Sequence, residues 1–150
     1  MKRFAWRLQR VLDVRIKQES LKQNELFRLT QALAEKRTEL LLRQRTLDET
    51  LAGVAADKST RRFGHQELVL RHAAINDEQI RSLKEAIREI EVDQKKKLAE
   101  LLAIRRFREA LERLREEAKD QYVQEQEKLE QKEADERTVL AFARGTEVRL

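Results

Sequence analysis

The chain has no cysteine, no proline and only three glycines among its 150 residues. Without cysteine there is neither a disulfide framework nor a thiolate metal site. Without proline, nothing forces a break in a long helix. Aromatic residues make up 5% of the chain, and the alternation of β-branched and aromatic residues that marks strands is nowhere sustained. No run approaches 18 consecutive apolar residues, and no basic segment leads into an apolar one, so neither a membrane span nor a secretory leader is expected. A soluble, cytoplasmic protein is the expectation.

What is present is charge, 41% of the residues, beside a hydrophobic content of 40%. That apolar share is too high for a disordered chain. Ala, Glu, Lys, Leu and Arg at a repeating apolar spacing are the composition of a long helix or coiled coil. The net charge of +5 is unevenly spread: residues 1–62 carry 15 Lys and Arg against 8 Asp and Glu, and the remainder 18 against 20. The first arm is therefore the basic one, at +7, and suits an acidic partner.

A seven-residue row runs through that arm: Leu12, Glu19, Leu26, Leu33, Leu40, Leu47 and Val54. Its companion holds Leu29 and Leu51, interrupted by Lys36 and Arg43. One apolar row and one mixed row fit a two-helix seam with a wet edge, where the stems of basic side chains cover apolar surface. The periodicity stops at "GVAADKSTRRFGH", residues 53–65, between Gly53 and Gly64, with Ser59 or Thr60 as a cap for a following helix. Asn76 and Gln79 mark a second candidate helix start, although one helix continuous through Asn76 is the plainer reading. The pattern resumes with Ile80, Leu83, Ile87 and Ile90, crosses the polar Gln94 and Lys97, and continues with Leu101, Ile104, Leu111 and Ala118. Glu91–Lys95, Asp93–Lys97, Glu109–Arg113 and Glu133–Arg137 have the spacing of supporting ion pairs, each worth only about 0.2–0.5 kcal/mol.

These rows predict an all-α fold: one antiparallel coiled-coil hairpin domain over 1–150, with helix 1 at about 3–53, a turn at 54–65, helix 2 at 66–143 and a short tail. A turn centred near residue 59 sets residue i opposite roughly 118 − i. Trp6 then lies near Glu112, and helix 1 runs out opposite about residue 115. Helix 2 overhangs, with Tyr122 to Phe142 lacking an internal partner. Gly145 ends the pattern. An overhang of sparse apolar residues is either a solvated helix or a surface for another protein.

Catalytic chemistry is missing. His65 and His72 stand seven residues apart with no companion ligands, so surface histidines are the default reading and no metal or cofactor is expected. No phosphate-binding glycine loop and no nucleophile elbow occurs, and two helices offer no enclosed pocket in which to shift a carboxylate. The chain reads as a binding protein, not an enzyme. The basic arm resembles a nucleic-acid footprint, since phosphate contacts need little beyond Lys and Arg. Its glutamates and its lack of a base-stacking platform speak against nucleic acid, and an RNA-binding hairpin stays as an alternative.

Residues 3–15, "RFAWRLQRVLDVR", differ from the rest. On a helix Phe4, Leu8, Val11 and Leu12 share a face, a clamp against fraying, and Trp6 lies off it. A tryptophan among Arg3, Arg7 and Arg10 suits a partner's pocket, because Trp and Arg are enriched at binding hot spots.

The stretch "F-A-W-R-L-Q-R-V-L-D-V-R" at 4–15 resembles the opening of the flagellar export protein FliJ family. The far end is similar too, with "L-E-R-L-R-E" at 111–116, Tyr122, "E-Q-K-E-A-D-E" at 130–136 and "F-A-R" at 142–144. The resemblance implies a coiled-coil stalk of the type III export apparatus, like the central subunit of rotary ATPases, serving flagellar assembly and motility. Its paired ends would face the hexameric export ATPase through Phe4, Trp6, Arg7, Gln9, Arg10, Asp13, Arg15, Tyr122, Leu129 and Phe142. The hairpin tip would face the membrane export gate through Gln44, Leu47, Leu51, Gln79, Leu83 and Ala86, and export chaperones would be further partners. The protein would then associate peripherally with the inner face of the cell membrane. One departure from the family pattern is "AAINDEQIRSLKEAI" at 73–87, which lacks the aromatics found near the gate-facing tip. The alternatives of the same kind are the stalk of a virulence-type secretion ATPase and a rotary-ATPase central subunit.

Overall fold

The computed structural model describes residues 2–56 and 62–148. The fold is an all-α helical hairpin of two helices, α1 (Gln9–Ala56, 48 residues) and α2 (Arg62–Val148, 87 residues). No strand occurs among the described residues. Residues 57–61, including the candidate caps Ser59 and Thr60, lie outside them.

Both helices are longer at the turn than the glycines suggested. Gly53 lies inside α1, and Gly64 and Gly145 lie inside α2. A helical glycine costs only about 1 kcal/mol relative to alanine, and a long helix absorbs that while its backbone hydrogen bonds continue. Added side chains at these positions would meet nothing within 4 Å, so the glycines serve no close approach. α2 runs unbroken through Asn76.

The chain divides into two compact units. One comprises Met1–Gln18 with Ile104–Leu150, the other Glu19–Ala103. Within Glu19–Ala103 the helices run antiparallel: Lys22 meets Glu100, Thr30 meets Gln94, Arg37 meets Glu91 and Arg43 meets Gln79. In the other unit Gln9 meets Arg115 and Arg15 meets Phe107. In both units residue i thus lies opposite a residue four or more positions further along than 118 − i. The helix ends at Ala56 and Arg62 are still centred on 59, so the offset is set by which side chains meet across the seam.

The seam follows the seven-residue rows. On α1, Leu12, Glu19 and Leu33 are buried, and Leu26, Leu40, Leu47 and Val54 are half-buried. The second row is Leu8, Arg15, Lys22, Leu29, Lys36, Arg43 and Thr50, all half-buried. Leu51 is not on it and is exposed. On α2 the buried positions Val69, Ile80, Leu83, Ile87, Leu101 and Leu111 fall on two rows that also carry Gln94, Lys97, Arg108 and Arg115. Among the described residues no large side chain is completely buried, because two helices cover each other on one side only. Basic stems therefore complete the seam where a larger protein would use leucine.

Candidate partner-binding surface

The unit containing residues 2–18 holds the first set of candidate residues. Residues 2–6 are not helical, and α1 begins only at Gln9. The turn closes through the Gln9 amide, which donates to the Trp6 carbonyl at 3.2 Å, and the Leu12 amide follows with the Leu8 carbonyl at 3.1 Å. The expected helical face of Phe4, Leu8, Val11 and Leu12 does not form. In a continued helix the seam position one heptad before Leu12 would fall on Ala5, with Phe4 and Trp6 flanking it. By leaving the helix the chain brings Phe4 onto α2 instead. Its ring lies 5.5 Å from that of Tyr122, tilted by 52°, within the range of aromatic pair contacts. The Arg115 guanidinium sits 5.7 Å from the Phe4 ring centre, and the Tyr122 hydroxyl donates to the Lys2 carbonyl.

Tyr122 is therefore not part of an unpartnered overhang: it anchors residues 2–4. Gln9 is engaged as well, donating to Asp13 at 3.0 Å and accepting from Arg115 Nε at 2.9 Å. The Arg15 guanidinium lies over Phe107, 4.4 Å from its ring centre, a cation–π contact on the seam's edge. Among the ring-facing candidates this leaves Arg7, Arg10 and Asp13 exposed and Trp6 half-buried on the surface. Beyond the half-buried Gln126, every residue of α2 from Glu127 to Gly145 is exposed, including Leu129 and Phe142. Arg137 meets Glu133 there at 4.0 Å, as its spacing indicated.

The second set lies in the Glu19–Ala103 unit. Leu83 is buried in the seam, and Gln44, Leu47 and Ala86 are half-buried. Gln79 is exposed and takes a hydrogen bond from Arg43. Leu51 and Gln79 thus remain on the surface, whereas Leu83 is closed to a partner by its own hairpin.

The same unit contains a charge cluster that the spacing of pairs along one helix did not reveal. Lys22 Nζ meets Glu100 at 2.9 Å and Glu25 at 3.4 Å; Lys97 Nζ meets Glu25 at 3.0 Å and Glu100 at 3.8 Å. The hydrogen bond with Glu100 is the largest cause holding the Lys22 ammonium above its ordinary pKa. Glu25 is held below the usual carboxylate value chiefly by its bond from Lys97, and Glu100 chiefly by its bond from Lys22. Glu91 likewise turns to Arg37 at 3.0 Å across the seam, not along its own helix to Lys95. The available signal was a Lys-x-x-Glu on each helix, at matching heptad positions.

No protein-family model, curated protein or solved structure matches this chain. Its surface must be read from its own chemistry. Among the described residues no group of three His, Asp or Glu side chains is placed to hold a metal ion, and no helix is long and apolar enough to cross a membrane. The grooves along the hairpin are open and lined by charged side chains, for example Glu109, Glu112, Arg113 and Glu116. Such surfaces suit docking better than the enclosure of a small substrate.

Proposed function

We propose that this chain is a non-enzymatic, stalk-like component of flagellar type III protein export, joining the export ATPase ring to the membrane export gate. Its place would be the cytoplasm, against the inner face of the membrane. One observation carries the reading: the end of the hairpin built from residues 2–18 and 104–145 combines a tethered aromatic segment with an exposed helix. The half-buried Trp6 stands there among the exposed Arg3, Arg7 and Arg10, and every residue of α2 from Glu127 to Gly145 is exposed. This agrees with the terminal motifs that resemble the FliJ family. A ring of subunits that receives such an end has a large tryptophan and several guanidinium groups to grip, the residue types that dominate binding energy.

Calorimetry with purified flagellar export ATPase tests the proposal. The wild-type chain should bind, and Trp6→Ala should weaken binding by about 2 kcal/mol or more, the hot-spot range, with circular dichroism unchanged. Absence of binding to the flagellar enzyme, or equal affinity for both chains, sinks the reading. Preference for a virulence-type secretion ATPase moves the stalk to that system.

A further inference from the structure

The charge cluster of the Glu19–Ala103 unit is built from two copies of one short pattern. Each helix places a lysine on a seam row and an acid three residues later: Lys22 with Glu25 on α1, and Lys97 with Glu100 on α2. Antiparallel pairing crosses the two patterns. Each lysine then meets the glutamate of the other helix, at 2.9 Å for Lys22–Glu100 and 3.0 Å for Lys97–Glu25. The device needs nothing but the same four-residue pattern running in opposite directions.

The pattern occurs twice more: on α1 Lys36 meets its own Glu39 at 3.6 Å, and the last copy lies further along α2. Five heptads beyond Lys97 stands Lys132, and five heptads beyond Glu100 stands Asp135. Both lie on the stretch of α2 where every residue is exposed. The seam face, last occupied by Leu111, Arg115, Ala118 and Tyr122, continues along this stretch through Glu125, Leu129, Lys132, Glu136 and Val139. Leu129 is 53% exposed and Val139 66%. One half of a crossed device thus stands on a surface continuous with the intramolecular seam.

We infer that residues 123–145 pair antiparallel with the same residues of a second copy. Lys132 of each copy meets Asp135 of the other, and Leu129 of each lies beside Val139 of the other. A second copy fits because the pattern is self-complementary under two-fold symmetry, where each contact occurs twice. Parallel pairing instead sets Lys132 against Lys132, and like charges disfavour it. Winding of the two helices around each other removes the drift of about 20° per heptad that a straight helix accumulates. About three heptads make a small interface, so the dimer is reversible and forms in the micromolar range. The inference stands apart from the export role.

Sedimentation equilibrium of the full chain reads it directly. The wild type should pass from monomer to dimer across micromolar concentrations. Lys132→Glu alone and Asp135→Lys alone should each weaken the dimer by at least about tenfold, since each sets two like-charged pairs face to face. Mixing the two variants should restore association, because the mixed dimer has both pairs opposite in sign, and the double variant should regain it alone. A wild-type monomer throughout the range overturns the inference. So does a dimer indifferent to either substitution, or a mixture that stays dissociated. The substituted residues are exposed, so unchanged helicity by circular dichroism should accompany every variant.

Discussion

The ring of Phe4 lies 5.5 Å from the ring of Tyr122, and the Tyr122 hydroxyl bonds the carbonyl of Lys2. Two residues separated by more than a hundred positions thereby hold a non-helical segment against α2. The contact explains why Tyr122 is half-buried while Val123, its neighbour, is exposed.

That contact should be separable into its two parts. Tyr122→Phe keeps the ring and removes the hydrogen bond, at a cost of about 0.5–1.5 kcal/mol. Phe4→Ala removes the ring contact and should cost more, with faster amide exchange at Gln9 and Leu12, whose bonds open α1. Urea denaturation and hydrogen exchange measure both. An unchanged exchange rate at Gln9 in Phe4→Ala would mean that the ring does not hold the segment.

The seam should respond by row. Leu33 and Ile87 are buried, 4% and 8% exposed, so an aspartate at either position sets a charge inside the seam and should lower the melting temperature sharply. Leu33→Ala should cost about 2–3 kcal/mol, the low end for a buried leucine, because partial solvent access softens the cavity. Lys36→Ala, on the wet row, should change little, since Lys36 meets only Glu39 of its own helix, at 3.6 Å. Equal losses at positions 33 and 36 would show that the seam lies elsewhere.

The charge cluster makes stability depend on pH. Glu25 and Glu100 are held below the ordinary 4.5 in the folded chain. Their contribution is complete above pH 4.5 and disappears as the pH falls through their folded values. Lys22 is held above its ordinary 10.5, so its contribution is complete below pH 10.5 and disappears as the pH rises through the higher folded value. Melting temperature should therefore be flat, as far as this cluster is concerned, between these limits. Lys22→Met should flatten the acid side of the profile. Added salt should shrink the difference between the two chains, because the cluster is open to solvent.

Amide exchange along α2 should divide near Gln126. In dilute protein the amides from Glu127 to Gly145 should exchange fast, since no second helix covers them, and those around Leu111 slowly. Exchange in the overhang should slow at concentrations where chains pair or when a partner binds. Strong protection there in a dilute monomer would show that another part of the chain covers this stretch.

Much of the molecule was legible along the chain because a heptad repeat is local information. The rows through Leu12, Leu33 and Leu47 and through Ile80, Ile87 and Leu101 mark buried or half-buried positions, since seven residues span nearly two helical turns whatever lies opposite. The hairpin followed from one interruption in that repeat. The absence of proline left no reason for either helix to stop early.

What the chain by itself did not decide was whatever depends on the opposite helix. Residues 2–6 have helical spacing but are drawn out of the helix by Tyr122 and Arg115, partners that no local window contains. The pairing register is set by which side chains meet across the seam, as Lys22 with Glu100 and Arg15 with Phe107 do, and not by Gly53 and Gly64, which lie within helices. The second row of α1 proved largely basic, with Arg15, Lys22, Lys36 and Arg43. Arg15, Lys22 and Arg43 meet Phe107, Glu100 and Gln79 across the seam, and Lys36 meets Glu39 of its own helix. Periodicity specifies which face of a helix is covered. The charges and rings on the facing helix decide what the covered side chains meet, because those contacts are set in space and not by spacing along the chain.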